Sequence, residues 1–118
     1  MRDMRLRIVE REIGGVTVLE LNGASEKGDI FLQDTIETML KEGRRNFVLN
    51  LGNIMHVSSS DIGAYVACLM KARRLGGNVK LAQVPSSARI VLLMTKLDGV
   101  FEMFANEQDA VASFPQQA

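Results

Sequence analysis

The sequence predicts an α/β protein with a mixed sheet of four to five strands and helices largely on one face of that sheet. Apolar and polar residues alternate in several short stretches, as in strands, and apolar residues recur every three or four positions in longer stretches, as in helices. Two strand patterns come first, and helix and strand patterns alternate after them. This order favours an antiparallel pair followed by parallel strands.

The first two strands are expected at residues 5–10 and 16–21, where apolar and polar side chains alternate. Gly14 and Gly15 lie between the two stretches, and a pair of glycines is typical of a tight turn. The chain is therefore expected to begin with two strands joined by a turn.

A first helix is expected after the polar turn at residues 22–29, and Asp29 is placed to cap its first turn. Gly43 follows this helix, at a position where many helices end in a left-handed residue. The apolar residues of the stretch fall on one helical face: Leu32, Ile36, Met39 and Leu40.

Residues 46–51 are a compact apolar run that indicates a central strand. The stretch 62–75 places its apolar residues in a wide helical stripe and is ended by Gly76 and Gly77. Residues 78–84 alternate again as a strand. Strand, helix and strand in this order predict a parallel pair with a right-handed crossover.

The last part of the chain predicts one more strand between two helices. A third helix is expected to begin after Pro85 and to run to about Leu97, where residues 98–99 break it. Residues 100–104 predict a short strand, and Asn106 is placed to cap a final helix. The apolar residues of that final helix are Ala110, Val111 and Phe114.

Composition limits the classes of partner. The chain carries 14 basic and 14 acidic residues, so it has no excess charge for binding nucleic acid. Its apolar runs are too short for membrane insertion and its charged beginning does not form a secretory signal, so we expect a cytoplasmic protein. One cysteine and one histidine cannot supply a zinc site, and no cofactor is implied. We expect one domain over residues 1–118, ordered from about 5 to 114.

Three consecutive serines, Ser58, Ser59 and Ser60, lie in a predicted loop over residues 52–63, between the central strand and the second helix. Serine is a common helix cap, because its oxygen accepts a hydrogen bond from a free amide of the first turn. A serine here is also accessible, and a phosphate would add about −1.5 to −2 charges near the positive end of the helix. A partner bound to this loop would be disturbed, so such a serine makes a binding switch.

Five parts of the chain follow a recognisable order: residues 46–51 (NFVLNL), Ile54, residues 57–63 (VSSSDIG), residues 76–81 (GGNVKL) and residues 94–101 (MTKLDGVF). Together they resemble the STAS family of anti-sigma factor antagonists, over nearly the whole chain. The loop of that family usually reads Asp-Ser-Ser/Thr-Gly-Leu/Ile-Gly, and the serine after the aspartate is phosphorylated by a cognate anti-sigma factor that is also a kinase.

The resemblance implies that Ser59 is the phosphorylated serine, that Ser60 is the next acceptor, and that Gly63 is the closing glycine. Two positions depart from the family pattern, since Ser58 replaces the aspartate and Asp61 replaces the first glycine. Ser58 offers hydrogen bonds but no charge. Asp61 is expected to cap the helix or to mimic part of the charge of a phosphorylated loop.

The function implied by this resemblance is that of a bacterial anti-sigma factor antagonist, a phosphoprotein of signal transduction and transcription regulation. Its expected partners are an anti-sigma factor with serine kinase activity and a serine phosphatase, and the chain is expected to be a monomer or a weak homodimer. The unphosphorylated form is the one that binds. The expected contact residues are Met55, His56, Ser58, Asp61, Ile62, Gly63 and Tyr65.

Other functions are weighed against this one. A STAS domain without phosphorylation would use the same loop as a scaffold of a stress-signalling complex or as an accessory subunit of a lipid transporter. Binding of a small ligand is a third option, although no convergent set of polar residues identifies one. An enzyme would need Ser58 or Ser59 as nucleophile, His56 as base and Asp61 as orienting carboxylate, but no nucleophile-elbow pattern surrounds the serines, so we expect none.

Three residues of the second helix have an expected place in the core or near it. Cys68 lies between apolar neighbours and is expected to be an inert core thiol. Tyr65 and Met70 are near it along the chain, and both belong either to the core or to a groove for the partner.

Overall fold

A computed structural model describes residues 5–24 and 30–115, and the elements below belong to those ranges. The strands are β1 (Arg7–Ile13), β2 (Val16–Ala24), β3 (Asn46–His56), β4 (Asn78–Ala82) and β5 (Met103–Phe104). The helices are α1 (Ile30–Lys41), α2 (Ser59–Arg74), α3 (Ser86–Met94) and α4 (Glu107–Ala112). The predicted order of elements is confirmed.

The strands form one mixed sheet in the order β1-β2-β3-β4-β5. The first two strands pair antiparallel, and Gly14 and Gly15 of their turn have φ angles of 56° and 83°, which glycine adopts without strain. The other neighbours pair parallel, as the alternation of strands and helices predicts. The mixed sheet is therefore confirmed, with five strands.

Two apolar clusters lie on the two faces of the sheet, because successive side chains of a strand point to opposite faces. Leu49 of β3 belongs to the larger cluster, together with apolar residues of α1, α2 and α3. Its neighbour Val48 belongs to the smaller cluster, together with Ala110 of α4 and Phe114. Three helices thus cover one face and the short last helix covers part of the other, which confirms the prediction of helices largely on one face.

Several predicted boundaries are wrong, among them those of the first strand, which covers Arg7–Ile13 and not residues 5–10. Strand β3 continues to His56 instead of ending near residue 51, because its second half still pairs with the end of β2 after shifts in register. Helix α3 ends at Met94 and not near Leu97, because Lys96 takes a left-handed φ of 61° that ends the helix. The predicted strand over residues 100–104 is reduced to the two residues of β5.

Other predicted details of the helices have mixed outcomes. Gly43 has a φ of 99°, which confirms a left-handed residue after α1. Asn106 caps α4, since its side-chain oxygen accepts the Asp109 amide hydrogen at 2.8 Å. The predicted cap Asp29 lies outside the described residues. Within the described ranges, none of the helices is both long and apolar enough to cross a bilayer.

Candidate functional site

The start of α2 is held by a reciprocal pair of side chains, Ser58 and Asp61. Ser58 is the N-cap residue, and its hydroxyl oxygen accepts a hydrogen bond from the Asp61 amide at 3.2 Å. The Asp61 carboxylate in turn accepts bonds from the Ser58 amide at 2.8 Å and from the Ser58 hydroxyl at 3.0 Å. This arrangement is a capping box, which satisfies two amides that the first turn would leave unpaired. The interpretation of Asp61 as a helix cap is consistent with this geometry.

Asp61 is only 3% exposed, so its carboxylate points into the capping box and not toward a partner. We expect Asp61→Ala to lower the free energy of unfolding by about 1–2 kcal/mol, because the change removes the capping contacts and leaves the Ser58 amide without this acceptor. Urea unfolding at neutral pH measures this loss. Ser60→Ala is the matched control in the same turn, and an equal loss for both variants would contradict the capping role.

Ser59 and Ser60 are the first two residues of α2, and both are exposed. Their amides have no carbonyl of a preceding turn to bond, as at the start of every helix, and the helix dipole is positive there. A phosphate on either hydroxyl would therefore lie near a favourable field. A phosphate on Ser58 would instead lie against the Asp61 carboxylate and break the capping box. The geometry thus favours Ser59 and Ser60 over Ser58 as acceptors.

Five exposed residues lie at the end of β3 and in the first turns of α2, and we call them the serine surface: Met55, His56, Ser59, Ser60 and Gly63. Met55, at the end of β3, has a large apolar side chain that is 60% exposed. Gly63 lies one turn after Ser59, and a Cβ added there would meet no atom within 4 Å. The serine surface thus offers an apolar side chain, two hydroxyls and a place where another chain can approach the helix closely.

Three residues that were expected to contact a partner are buried, namely Asp61, Ile62 and Tyr65. Ile62 is 1% exposed and Tyr65 is 0% exposed, and both pack in the large core cluster with Cys68. They cannot touch a partner that docks on this conformation, because α2 turns that side toward the sheet. The sequence left Met70 either in the core or in a groove for the partner, and in the structure its side chain is 47% exposed.

One residue that matters for the site was not singled out from the sequence. Val57 is 3% exposed and belongs to the large core cluster, although it lies in the short connection between β3 and α2. Its burial anchors the connection directly before the capping box. An apolar residue between polar neighbours was the available signal for this anchor.

The described part of the chain does not show the side-chain arrangement that an enzyme active site at these serines would need. Asp61 bonds Ser58, whereas His56 forms no hydrogen bond or ion pair with Asp61 or with any of the three serines. A triad needs the base within hydrogen-bond distance of both other members. Among the residues described, no group of three or more acidic, histidine or cysteine side chains is placed to hold a metal ion.

Comparisons with known proteins agree with this fold. An anti-sigma factor antagonist from Mycobacterium paratuberculosis is 17% identical and superimposes with a TM-score of 0.81, covering 95% of this chain and 96% of that chain. A putative anti-sigma factor antagonist from Thermotoga maritima is 19% identical, with a TM-score of 0.77 and coverage of 89% and 92%. The Bacillus cell fate determinant SpoIIAA in its phosphorylated form is 19% identical, with a TM-score of 0.71 and coverage of 91% and 96%.

These likenesses establish a shared fold at low sequence identity. No match was found among curated protein sequences. A family model of the STAS domain matches residues 7–110, from the first strand into the last helix. Because that match spans most of the sequence, the chain belongs to the STAS domain family.

Proposed function

We propose that this protein is a cytoplasmic anti-sigma factor antagonist, which binds an anti-sigma factor with serine kinase activity through the serine surface. Phosphorylation of Ser59 ends the binding, and a serine phosphatase restores it. The observation that carries the proposal is that the polar side chains at the start of α2 have two different environments. Ser58 and Asp61 are engaged in the capping box, whereas Ser59 and Ser60 are exposed to an approaching kinase.

Two further observations support a docking role for this surface. Met55 offers a large flexible apolar side chain, and methionine is common on surfaces that bind partners because it adapts its shape. Gly63 leaves the helix backbone open to close approach. Two of the similar structures are described as anti-sigma factor antagonists, and the Bacillus protein was solved in a phosphorylated form.

The test uses a serine kinase of the anti-sigma factor type, sought in the genomic neighbourhood of the gene. We expect incubation with that kinase and ATP to place one phosphate on Ser59, as mapped by mass spectrometry. Ser59→Asp is expected to weaken binding of the kinase at least about tenfold, because a negative charge is introduced into a desolvated contact, whereas Ser59→Ala keeps the affinity within about threefold. Isothermal titration calorimetry measures both dissociation constants.

Gln108→Glu is the matched control, because it adds the same charge at an exposed position of α4, on the other face of the sheet. It is expected to leave the affinity unchanged. Gly63→Gln is expected to block docking without unfolding the helix, since the added side chain meets no atom of this chain. If Gly63→Gln and Ser59→Asp both bind as tightly as the unchanged protein, the serine surface is not the contact.

The second candidate function is a scaffold or accessory STAS domain that is not phosphorylated. The observation that favours it is the buried Asp61 carboxylate, two residues from Ser59, where the family pattern has glycine. The Asp61 carboxylate would repel a phosphate on Ser59. Absence of phosphate on Ser59 and Ser60, combined with loss of partner binding in Gly63→Gln, would establish this scaffold role.

A further inference from the structure

A groove lies between the C-terminal ends of α1 and α2, on the same face of the sheet as the serine surface but at its other end. Both helices follow parallel strands, so they run in the same direction and end at the same edge of the sheet. The 16 residues of α2 make that helix about 24 Å long. The groove is therefore too far from Ser59 to belong to the serine surface. Its volume is about 370 Å³.

The lining of the groove combines apolar and positively charged side chains. Leu40 forms part of its floor, and Leu75, which is 52% exposed, stands at its side. The charged residues of the lining are Glu37, Lys41, Lys71 and Arg74. An exposed leucine surrounded by charged side chains is the composition of a small docking site for another chain, with an apolar centre and a polar rim.

Positive charge exceeds negative charge in this groove, although the whole chain is neutral. The Glu37 carboxylate lies 3.9 Å from the Lys41 ammonium and 3.4 Å from the Lys71 ammonium, so one acid serves two cations. Within the described ranges, Arg74 has no acidic partner for its guanidinium. Basic residues at the end of a helix are favoured by its dipole, but the dipole does not account for an exposed leucine between them.

We propose that the groove binds an acidic segment of a protein partner, whose leucine-sized side chain covers Leu75 while its carboxylates reach Arg74 and Lys71. A guanidinium takes a carboxylate through two parallel hydrogen bonds, which orients the segment along the groove. The protein segment is preferred to an anionic membrane, because the site is a groove between two helices, which fits a single chain segment better than a flat lipid surface. This second contact does not depend on the serine surface.

The probe is the synthetic peptide acetyl-Asp-Glu-Leu-Asp-Glu-Leu-amide, titrated into the isotope-labelled full chain and followed by amide NMR. Shifts are expected to concentrate at Leu40, Lys71, Arg74 and Leu75, with an affinity that falls as salt rises. Arg74→Glu and Leu75→Ser are each expected to lower the affinity for the peptide about tenfold. Arg74→Glu removes a hydrogen bond between charged groups, and Leu75→Ser removes the apolar contact. If Arg74→Glu disturbs the helix, Arg74→Gln replaces it in the test, because it removes the charge without reversing it.

Arg7→Glu is the matched control, because it makes the same change of charge at an exposed position of β1. It is expected to leave the peptide affinity within about twofold. Ser59→Asp is also expected to leave it unchanged, which separates this proposal from the proposed function. Equal binding of the Asn-Gln-Leu-Asn-Gln-Leu peptide, shifts confined to other surfaces, or equal weakening by Arg7→Glu would each overturn the proposal. Binding to phosphatidylglycerol vesicles without binding to the peptide would assign the groove to membranes instead.

Discussion

Tyr65→Ala is expected to lower the free energy of unfolding by about 3–5 kcal/mol, which is a large part of the total stability of a small domain. The Tyr65 side chain is 0% exposed and is among the largest fully buried side chains of the core, so its removal leaves a cavity under α2. Urea unfolding followed by circular dichroism measures the loss. Under conditions where the variant is folded, it should bind the kinase within about threefold of the unchanged protein, because the Tyr65 side chain does not reach the surface.

Met70→Ala is the matched control for this prediction, since Met70 lies in the same helix and is 47% exposed. Its free energy of unfolding should change by about 0.5 kcal/mol or less, as for most surface substitutions. The two variants together separate a structural role from a contact role. If Tyr65→Ala leaves the free energy of unfolding unchanged but abolishes binding of the kinase, Tyr65 is a contact residue and not a core residue.

A second large effect is expected from Gly77→Ala, at the entry to β4. A Cβ at Gly77 would lie 1.9 Å from the carbonyl oxygen and 2.7 Å from the carbonyl carbon of Arg45. Both are backbone atoms, and the same carbonyl accepts the Asn78 amide hydrogen at 3.0 Å. The two central strands must therefore move apart where their pairing begins. We expect a loss of about 3 kcal/mol or more in the free energy of unfolding.

Gly63→Ala is the natural comparison, because the same chemical change is made where nothing lies within 4 Å. Gly63 is inside α2, and alanine favours a helix over glycine by about 1 kcal/mol. The two substitutions should thus shift the midpoint of thermal unfolding in opposite directions. A Gly77→Ala protein as stable as the unchanged chain would show that the strands do not approach so closely.

Local patterns were enough to predict the order of elements and the start of the site. The alternation in residues 16–21 and the stripe from Leu32 to Leu40 depend only on near neighbours along the chain, and both became the expected elements. The placing of three serines before a helix depends in the same way on local capping chemistry. These features could be predicted because the interactions behind them lie within a few residues.

The length of β3 and the burial of Val57 depend on other parts of the chain. Residues 52–56 have no strong strand pattern, and they are extended because the end of β2 lies beside them. The contacts of Lys80 could not be predicted from the sequence either, because the alternating pattern around it shows only that it lies in a strand. In the structure its ammonium lies 2.9 Å from the Ser113 hydroxyl and 4.3 Å from the centre of the Phe114 ring. Such contacts join residues far apart in sequence.

The sequence by itself determined the α/β class, the succession of strands and helices, and the location of the serines at the start of a helix. Only the tertiary structure decided which side chains at that helix start face solvent. The reason is physical: Ser58 and Asp61 bond each other, and the sheet under α2 buries Tyr65. Hydrogen-bond partners and burial are properties of packed surfaces, and periodicity along the chain specifies neither.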